Sequence, residues 1–225
     1  MFKLTKCLTS ALILLTAGSA SAQFYKLHGA SVSFGATGNY TETLKDNPTS
    51  VTSNTVTPSG ITLTNTYSNQ QQYITSSVGF LGSLQFHPVP WAGIEFNYGF
   101  QHYSERYNYN LSGTAATQTA SIPTSTHEAT SAYVFHPKHI PFQPFVNIGG
   151  GAIYFNPVMS AGHDQWRGTG LLETGFDVPM PGKRLALRVM GRGLFYRAPN
   201  YGLSAISTRT WRVSAEPSAS FVYRF

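Results

Sequence analysis

The feature that constrains this chain most is a two-residue alternation, which is clearest in its last fifteen residues. From Trp211 to Phe225 every odd position is apolar or aromatic, and six of the seven even positions between them are polar. A helix would spread this pattern around its circumference, whereas a strand separates it into two faces. The segment is therefore predicted to be a β-strand with one apolar and one polar face.

The same alternation recurs upstream, in segments of roughly ten residues, the length that a tilted strand needs to cross a bilayer. Residues 145–155 are apolar on both faces, so the pattern does not orient that strand. The upstream segments lie near residues 29–36, 77–86, 92–101, 127–136, 145–155, 172–178 and 184–195.

The connections between these segments alternate in length. Short proline-rich turns follow the second, fourth and sixth strands, at residues 87–90, 137–141 and 179–183. Longer polar stretches, predicted to be loops, follow the others, at residues 41–72, 104–125, 156–167 and 197–209. Turns on one rim and long loops on the other are typical of outer-membrane barrels. We therefore predict an all-β fold, a closed antiparallel up-and-down transmembrane β-barrel of about eight strands, because an open sheet edge is excluded from hydrocarbon. Loop 41–72 is long enough to hold an extra hairpin.

The first residues are typical of an export signal. Lys3 and Lys6 precede a short apolar run at 11–15, and Ala20-Ser21-Ala22 offers a cleavage site, so the mature chain is expected to begin near Gln23. This divides the chain into a signal peptide, 1–22, and a barrel domain, 23–225. Only 11% of the residues are charged, against about 25% in ordinary soluble domains.

Several functional classes are disfavoured by composition. The single cysteine, Cys7, lies in the predicted signal peptide, which argues against a disulfide framework, Cys-ligated zinc and a thiol nucleophile. The net charge of +6 falls to +4 without Lys3 and Lys6, and no basic run suggests a nucleic-acid partner. No apolar run approaches the length of a membrane-spanning helix.

The closing residues Phe221, Tyr223 and Phe225 are similar to the C-terminal assembly signal of outer-membrane proteins, which ends in Phe with aromatics at alternate positions. With the strand pattern, residues 24–225 resemble the small eight-stranded outer-membrane barrel family typified by the transmembrane domain of outer-membrane protein A, without its peptidoglycan-binding domain. The resemblance implies export to the bacterial outer membrane and assembly by the barrel-assembly machinery through the C-terminal strand. It also implies contact with outer-membrane lipids and lipopolysaccharide.

The two-residue alternation of each strand assigns its charged residues to the inner or the outer face of the barrel. An eight-stranded barrel has room inside only for its own side chains, so charges there are expected to pair. The other acids of the mature chain, Glu42, Asp46, Glu105 and Asp164, are assigned to loops or rims. Inward positions are predicted for Glu95, Glu128, Glu173, Asp177, Glu216, Arg184, Arg188, Arg192, Arg212 and Arg224. The predicted salt-bridge network consists of Glu95, Glu128, Glu173, Asp177, Arg188, Arg192, Arg212 and Glu216. It is interpreted as a structural plug, with a gated ion path as the alternative.

An enzymatic alternative rests on His102-Tyr103-Ser104, because lipid A deacylases are similar in using His and Ser on the barrel exterior. Glu105 has the opposite parity from His102, so the orienting carboxylate is missing, and we interpret His102 as part of an interfacial aromatic belt. The histidine spacing gives no metal site; His136 and His139 form at best a weak pair. We therefore expect a non-enzymatic barrel without cofactors, whose loops serve envelope integrity, adhesion or recognition. A narrow pore for small solutes and, behind it, a lipid A-modifying enzyme are the alternatives.

Overall fold

The computed structural model describes residues 29–45, 51–60, 62–114, 116–137, 143–158, 163–182, 184–203, 207–208 and 210–225. The predicted signal peptide at 1–22, with Cys7, and the cleavage site before Gln23 lie outside these residues, as do Asp46 and His139. Within the described part of the chain, no helix is long and apolar enough to cross a membrane.

The described residues form eleven β-strands. They are β1 (Ala30–Thr41), β2 (Leu44–Lys45), β3 (Val51–Val56), β4 (Thr62–Ile74), β5 (Ser77–Val89), β6 (Ala92–Leu111), β7 (Thr117–Phe135), β8 (Pro144–Pro157), β9 (Gln165–Pro179), β10 (Leu185–Arg197) and β11 (Trp211–Arg224).

Eight of these strands close into a ring. The order is β1-β5-β6-β7-β8-β9-β10-β11, and β11 pairs with β1 through contacts such as Phe34 opposite Phe221. All pairs are antiparallel. Each ring strand has a partner on both sides, so the ring satisfies its own backbone groups as a bilayer requires. The predicted closed eight-stranded barrel is confirmed.

The barrel has two different ends. The turns β5–β6, β7–β8 and β9–β10 lie at one end, together with the start of β1 and the end of β11. We call this the turn end. The connections after β1, β6, β8 and β10 lie at the opposite end, the long-loop end. The connections lie at alternate ends as predicted, but their lengths do not all follow the prediction: residues 112–116 between β6 and β7 are fewer than residues 136–143 between β7 and β8.

The prediction of loops at 41–72 and 104–125 is wrong for most of these residues. Residues 41–72 contain β2, β3 and most of β4, while 104–125 belong largely to β6 and β7. Polar residues pair across these strands, as when Thr64 donates to Asn54 Oδ1 at 3.0 Å and Thr119 to Asn108 Oδ1 at 3.0 Å. Here the outward side chains are polar and the inward ones include the buried Tyr103, Tyr107 and Ile122, so the alternation of the barrel strands is reversed.

The structure orients β8, which the sequence could not. Phe145, Asn147 and Phe155 are buried inside the ring, whereas Val146 and Ile148 face outward.

Candidate functional site

The barrel interior is the first candidate site, because it holds most of the buried charge. Parity along β6, β7, β9, β10 and β11 directs alternate side chains inward, and those side chains are almost fully buried. The eight residues of the predicted network, Glu95, Glu128, Glu173, Asp177, Arg188, Arg192, Arg212 and Glu216, are each at most 5% exposed.

Arg192 forms the centre of the interior. Its guanidinium binds three carboxylates from three other strands: Glu128 at 2.5 Å, Glu173 at 2.6 Å and Glu216 at 2.9 Å. Asn147 supports the cluster by donating to Glu173 Oε2 at 2.7 Å. A planar guanidinium with donors on all three nitrogens suits this arrangement, which a lysine could not reproduce.

Arg188 lies closer to the turn end. Its Nε donates to Asp177 Oδ1 at 2.8 Å, and Nη1 donates to Glu95 Oε2 at 3.1 Å. The guanidinium also lies 4.6 Å from the centre of the Phe145 ring, within the range of a cation–π contact. Arg224 also binds Asp177, with its Nη2 2.9 Å from Oδ2, and the Arg224 side chain is 31% exposed.

Arg212 pairs with Glu105 towards the long-loop end. Its Nη1 donates to Glu105 Oε2 at 2.9 Å, and its Nη2 binds the other oxygen of the same carboxylate. The prediction that Glu105 lies in a loop or at a rim is wrong: it is fully buried in β6. The alternation along β6 indicates that residue 105 faces inward, but the predicted strand ends before Glu105.

The sequence predicts five acids and five arginines inside the barrel, but the structure does not place equal numbers there. Arg184 was predicted to point inward, but it is exposed and donates to the Tyr223 hydroxyl at 3.4 Å. Among the described residues, the buried carboxylates are Glu95, Glu105, Glu128, Glu173, Asp177 and Glu216, while the buried guanidiniums are Arg188, Arg192 and Arg212. Arg224 adds a fourth guanidinium at the rim, so carboxylates outnumber guanidiniums.

Aromatic side chains and the β10–β11 connection, which folds into the barrel, fill the interior between Arg212 and the long-loop end. Tyr107 and Tyr201 are fully buried, and Tyr201 comes from the β10–β11 connection. Gln72 holds this connection in place, because its Nε2 donates to the Pro199 carbonyl at 2.8 Å and its Oε1 accepts from Thr208 Oγ1 at 3.0 Å. Burial raises the pKa of Tyr201 well above its ordinary value.

The possible hydrolase residues lie on the outer face of the barrel. His102 Nδ1 is 3.1 Å from the Ser125 hydroxyl on β7, where a catalytic triad would place a carboxylate. Ser104 shares the outward parity of His102. The neighbouring acids Glu105 and Glu128 both point inward and bind arginines. The His and Ser are thus on the outer side of the barrel wall and the two carboxylates are on the inner side.

The C-terminal aromatics lie on the outer face of β11. Phe221, Tyr223 and Phe225 are 62%, 37% and 56% exposed. They stand at the turn end, beside the first residues of β1, where Val32 pairs with Tyr223.

A cavity of about 760 Å³ opens at the turn end of the interior. Its lining includes His87, His136, Asp177 and Arg224. The His87 and His136 rings lie 4.9 Å apart, centre to centre. Burial, together with the neighbouring His87, lowers the pKa of His136 to about 4. Sequence spacing did not identify this pair, because the two residues belong to different hairpins.

Comparison with known proteins finds similarity in structure only. No protein-family model matches the chain, and no curated protein matches it significantly. Neisserial surface protein A matches 88% of this chain and 100% of its own, with a TM-score of 0.48 and 12% identity. Ail, the attachment invasion locus protein of Yersinia pestis, in complex with the heparin analogue sucrose octasulfate, matches 88% and 99%, with a TM-score of 0.44 and 11% identity. The outer membrane protein AlkL matches 88% and 92%, with a TM-score of 0.40 and 13% identity.

The chain has the fold of the small eight-stranded outer-membrane barrels. The closed antiparallel ring of eight strands, in which β11 pairs with β1, establishes this fold.

Proposed function

We propose that this chain is an integral outer-membrane protein without enzymatic activity, whose filled barrel presents a recognition surface outside the cell. Adhesion, surface recognition and envelope integrity are the roles that such a surface serves. The observation that carries the proposal is the length of β6 and β7, which continue well past the apolar belt of the barrel.

The outer face of β6 shows where the belt ends. Its outward side chains are apolar or aromatic from Ile94 to Phe100, and polar from His102 to Asn110. At about 3.3 Å per residue and a tilt of about 40°, the nine residues 92–100 rise roughly 23 Å, close to the apolar band of about 25 Å in such barrels. The remainder of β6 therefore extends into water.

The extended part forms a polar platform with its neighbours. β3 pairs with β4, β4 pairs with β6 and β6 pairs with β7, which places four strands in one sheet above the belt. Asn108, Asn110 and Thr117 line a groove of about 400 Å³ there, with Gln71 and Lys45. Loops and extensions on a rigid scaffold can vary without unfolding it, which is why binding sites often lie there.

The filled interior supports a non-conducting role. Arg188, Arg192 and Arg212 each bind carboxylates from other strands, and the β10–β11 connection folds over the long-loop end. An eight-stranded barrel is only wide enough for its own side chains. The barrel is therefore proposed to act as an anchor and a display scaffold.

We also propose where the protein lies in the cell and which partners it contacts. The outward aromatics would contact outer-membrane lipids and lipopolysaccharide after export across the inner membrane. Phe221, Tyr223 and Phe225 would form the signal that the barrel-assembly machinery reads. Their exposure at the turn end supports this proposal.

Single cysteines test the location and the orientation. In a Cys7→Ser background, Ser59→Cys places a thiol in the β3–β4 turn, and Met180→Cys places one in the β9–β10 turn. On intact cells a membrane-impermeant maleimide is expected to label the first variant only, and to label the second after the outer membrane is permeabilised. Labelling of Met180→Cys alone on intact cells would contradict the proposed orientation.

Removing β3 and the β3–β4 turn, the outermost part of the platform, tests the recognition role. Cells producing the full chain, cells producing a variant with residues 51–60 replaced by a short Gly-Ser linker, and cells lacking the protein are compared for adhesion to immobilised mucin, heparin and matrix proteins. We expect adhesion that the variant loses although its barrel still reaches the membrane. Equal adhesion by all three strains on every surface would contradict a recognition role.

A further inference from the structure

Two histidines from different hairpins meet at the turn end of the barrel. His87 ends the inward face of β5, and His136 directly follows β7. Their ring centres are 4.9 Å apart, and the ring planes are inclined by 53°. Two imidazoles that share one tetrahedral metal ion through bonds of about 2.0–2.1 Å have ring centres about 5 Å apart. The observed spacing fits such a pair.

The orientation of His87 is fixed by the backbone. Its amide donates to the Gly29 carbonyl at 2.9 Å, and its Nδ1 lies 3.2 Å from the same oxygen. Its Nε2 is buried and has no hydrogen-bond partner among the described residues. Histidines that ligate metals usually donate one ring nitrogen to a backbone carbonyl or carboxylate and use the other for the metal. His87 has this arrangement with its second nitrogen unused.

His136 is placed in a comparable way. Its backbone amide donates to the Trp91 carbonyl at 2.9 Å, and its ring hydrogen-bonds to the Pro144 backbone. Both histidines line the same cavity at the turn end.

Two glycines clear the space around His87. A Cβ on Gly93 would lie 2.9 Å from His87 Cδ2, and a Cβ on Gly29 would lie 2.6 Å from the His87 carbonyl oxygen. Gly29 also has a φ of +104°, which disfavours other residues. The position of the His87 ring therefore depends on Gly93, and that of the His87 backbone depends on Gly29.

The surrounding charges restrict the kind of ion. The charges of Asp177 and Arg188 act on both rings and that of Arg224 acts on His87, and both guanidiniums are bound to the Asp177 carboxylate. A hard cation such as Mg²⁺ or Ca²⁺ needs free oxygen ligands, which this arrangement does not offer. A borderline cation held by imidazole nitrogen, such as Zn²⁺, Ni²⁺ or Cu²⁺, matches the donors present.

We propose that His87 and His136 form a binding site for a divalent transition-metal ion at the turn end of the barrel. The two imidazoles supply the protein ligands, and the remaining coordination positions face the cavity of about 760 Å³, where water or an external ligand completes them. This site is separate from the proposed recognition surface, which lies at the opposite end.

Metal titration of the full, tag-free protein refolded in detergent tests the proposal. Isothermal titration with Zn²⁺, Ni²⁺ and Cu²⁺ is expected to show one saturable site for at least one of these ions, and none for Mg²⁺. His87→Ala and His136→Ala are each expected to abolish it, and Gly93→Ala to weaken it by displacing the His87 ring. Heat-modifiable mobility on gels verifies that each variant is folded.

The matched control uses the outer face of the barrel, where His102→Ala and His127→Ala are expected to leave the titration unchanged. Electron paramagnetic resonance of the Cu²⁺-loaded protein is expected to show two nitrogen ligands, and one or none in His87→Ala. The proposal is overturned if none of the three metals binds saturably, or if binding survives in both folded His87→Ala and His136→Ala variants.

Discussion

Arg192 forms three ion pairs, more than any other described residue inside the barrel. It binds Glu128, Glu173 and Glu216, and all four side chains are almost fully buried. Taking a guanidinium and three carboxylates out of water is costly, so the cluster is not by itself a source of net stability. Its energetic effect appears when one partner is removed, because the charges that remain cannot return to water.

The substitution Arg192→Met is therefore expected to lower the free energy of unfolding by at least about 3–5 kcal/mol, the usual effect of breaking a buried ion pair. Denaturant unfolding in lipid vesicles, followed by tryptophan fluorescence, measures the change. Arg184→Met is the control, since the Arg184 side chain is exposed and its hydrogen bond is to the Tyr223 hydroxyl, at 3.4 Å. Equal stability of the two variants would contradict the structural role of Arg192.

Glu105 shows how much of this network can be read from strand parity. Parity alone gives the inward direction of Glu95, Glu128, Glu173 and Glu216, because a two-residue period has only two faces. Glu105 continues the parity of Glu95 but lies among polar residues that resemble a loop. The sequence therefore indicated its side of the strand, while the end of the strand was misjudged.

Glu105→Gln is expected to leave the Arg212 guanidinium buried without a countercharge and to destabilise the barrel by about 3–5 kcal/mol. Glu42→Gln, at an exposed position beyond β1, is the matched control and is expected to have little effect. Denaturant midpoints of the two variants give the comparison, and a midpoint for Glu105→Gln equal to that of wild type would contradict the pairing.

The extensions of β6 and β7 are the element that the sequence described least well. Hydrophobic alternation exists only where one side of a sheet meets an apolar environment and the other does not. Above the belt the outward side chains of β6 and β7 meet water, while inward ones such as Tyr103, Tyr107 and Ile122 pack in the interior, so in residues 102–125 the pattern changes sides while strand pairing continues. Segments of this kind are identified by cross-strand partners, which a single sequence does not reveal.

Gln72 is one of the side chains that hold the β10–β11 connection at the long-loop end, together with Tyr107 and Gln165. Gln72→Ala removes its bonds to the Pro199 carbonyl and to Thr208, and leaves these groups without that partner. Losing buried hydrogen bonds of this kind costs about 1–3 kcal/mol. We expect faster protease cleavage within residues 198–210 while the gel mobility of the folded barrel is retained. Gln118→Ala, on an exposed part of β7, is the control and is expected to leave cleavage unchanged; equal cleavage of Gln72→Ala and wild type would show that Gln72 does not secure the connection.

At the scale of the whole molecule, closure brings together residues that are distant in sequence. His87 and His136, and likewise Arg212 and Glu105, meet only because the ring places strands around one narrow interior. A sequence can assign each of them to a face, but which residues on that face touch depends on register and tilt. This is why the barrel was predictable, whereas the histidine pair and the surplus of carboxylates were not.

The filled interior predicts that ions do not pass freely through the barrel. Three ion-pair clusters and a folded-in connection lie in series between the two ends, so wild-type protein in planar bilayers is expected to show no large, steady conductance. Because a pore and a plug respond differently to mutation, Arg188→Ala and Glu173→Ala distinguish them. In a pore these variants change a current that is already present, whereas in a plug they reduce stability with little current. A general porin recorded in the same bilayers provides the positive control, and steady wild-type current altered by either variant would favour the pore.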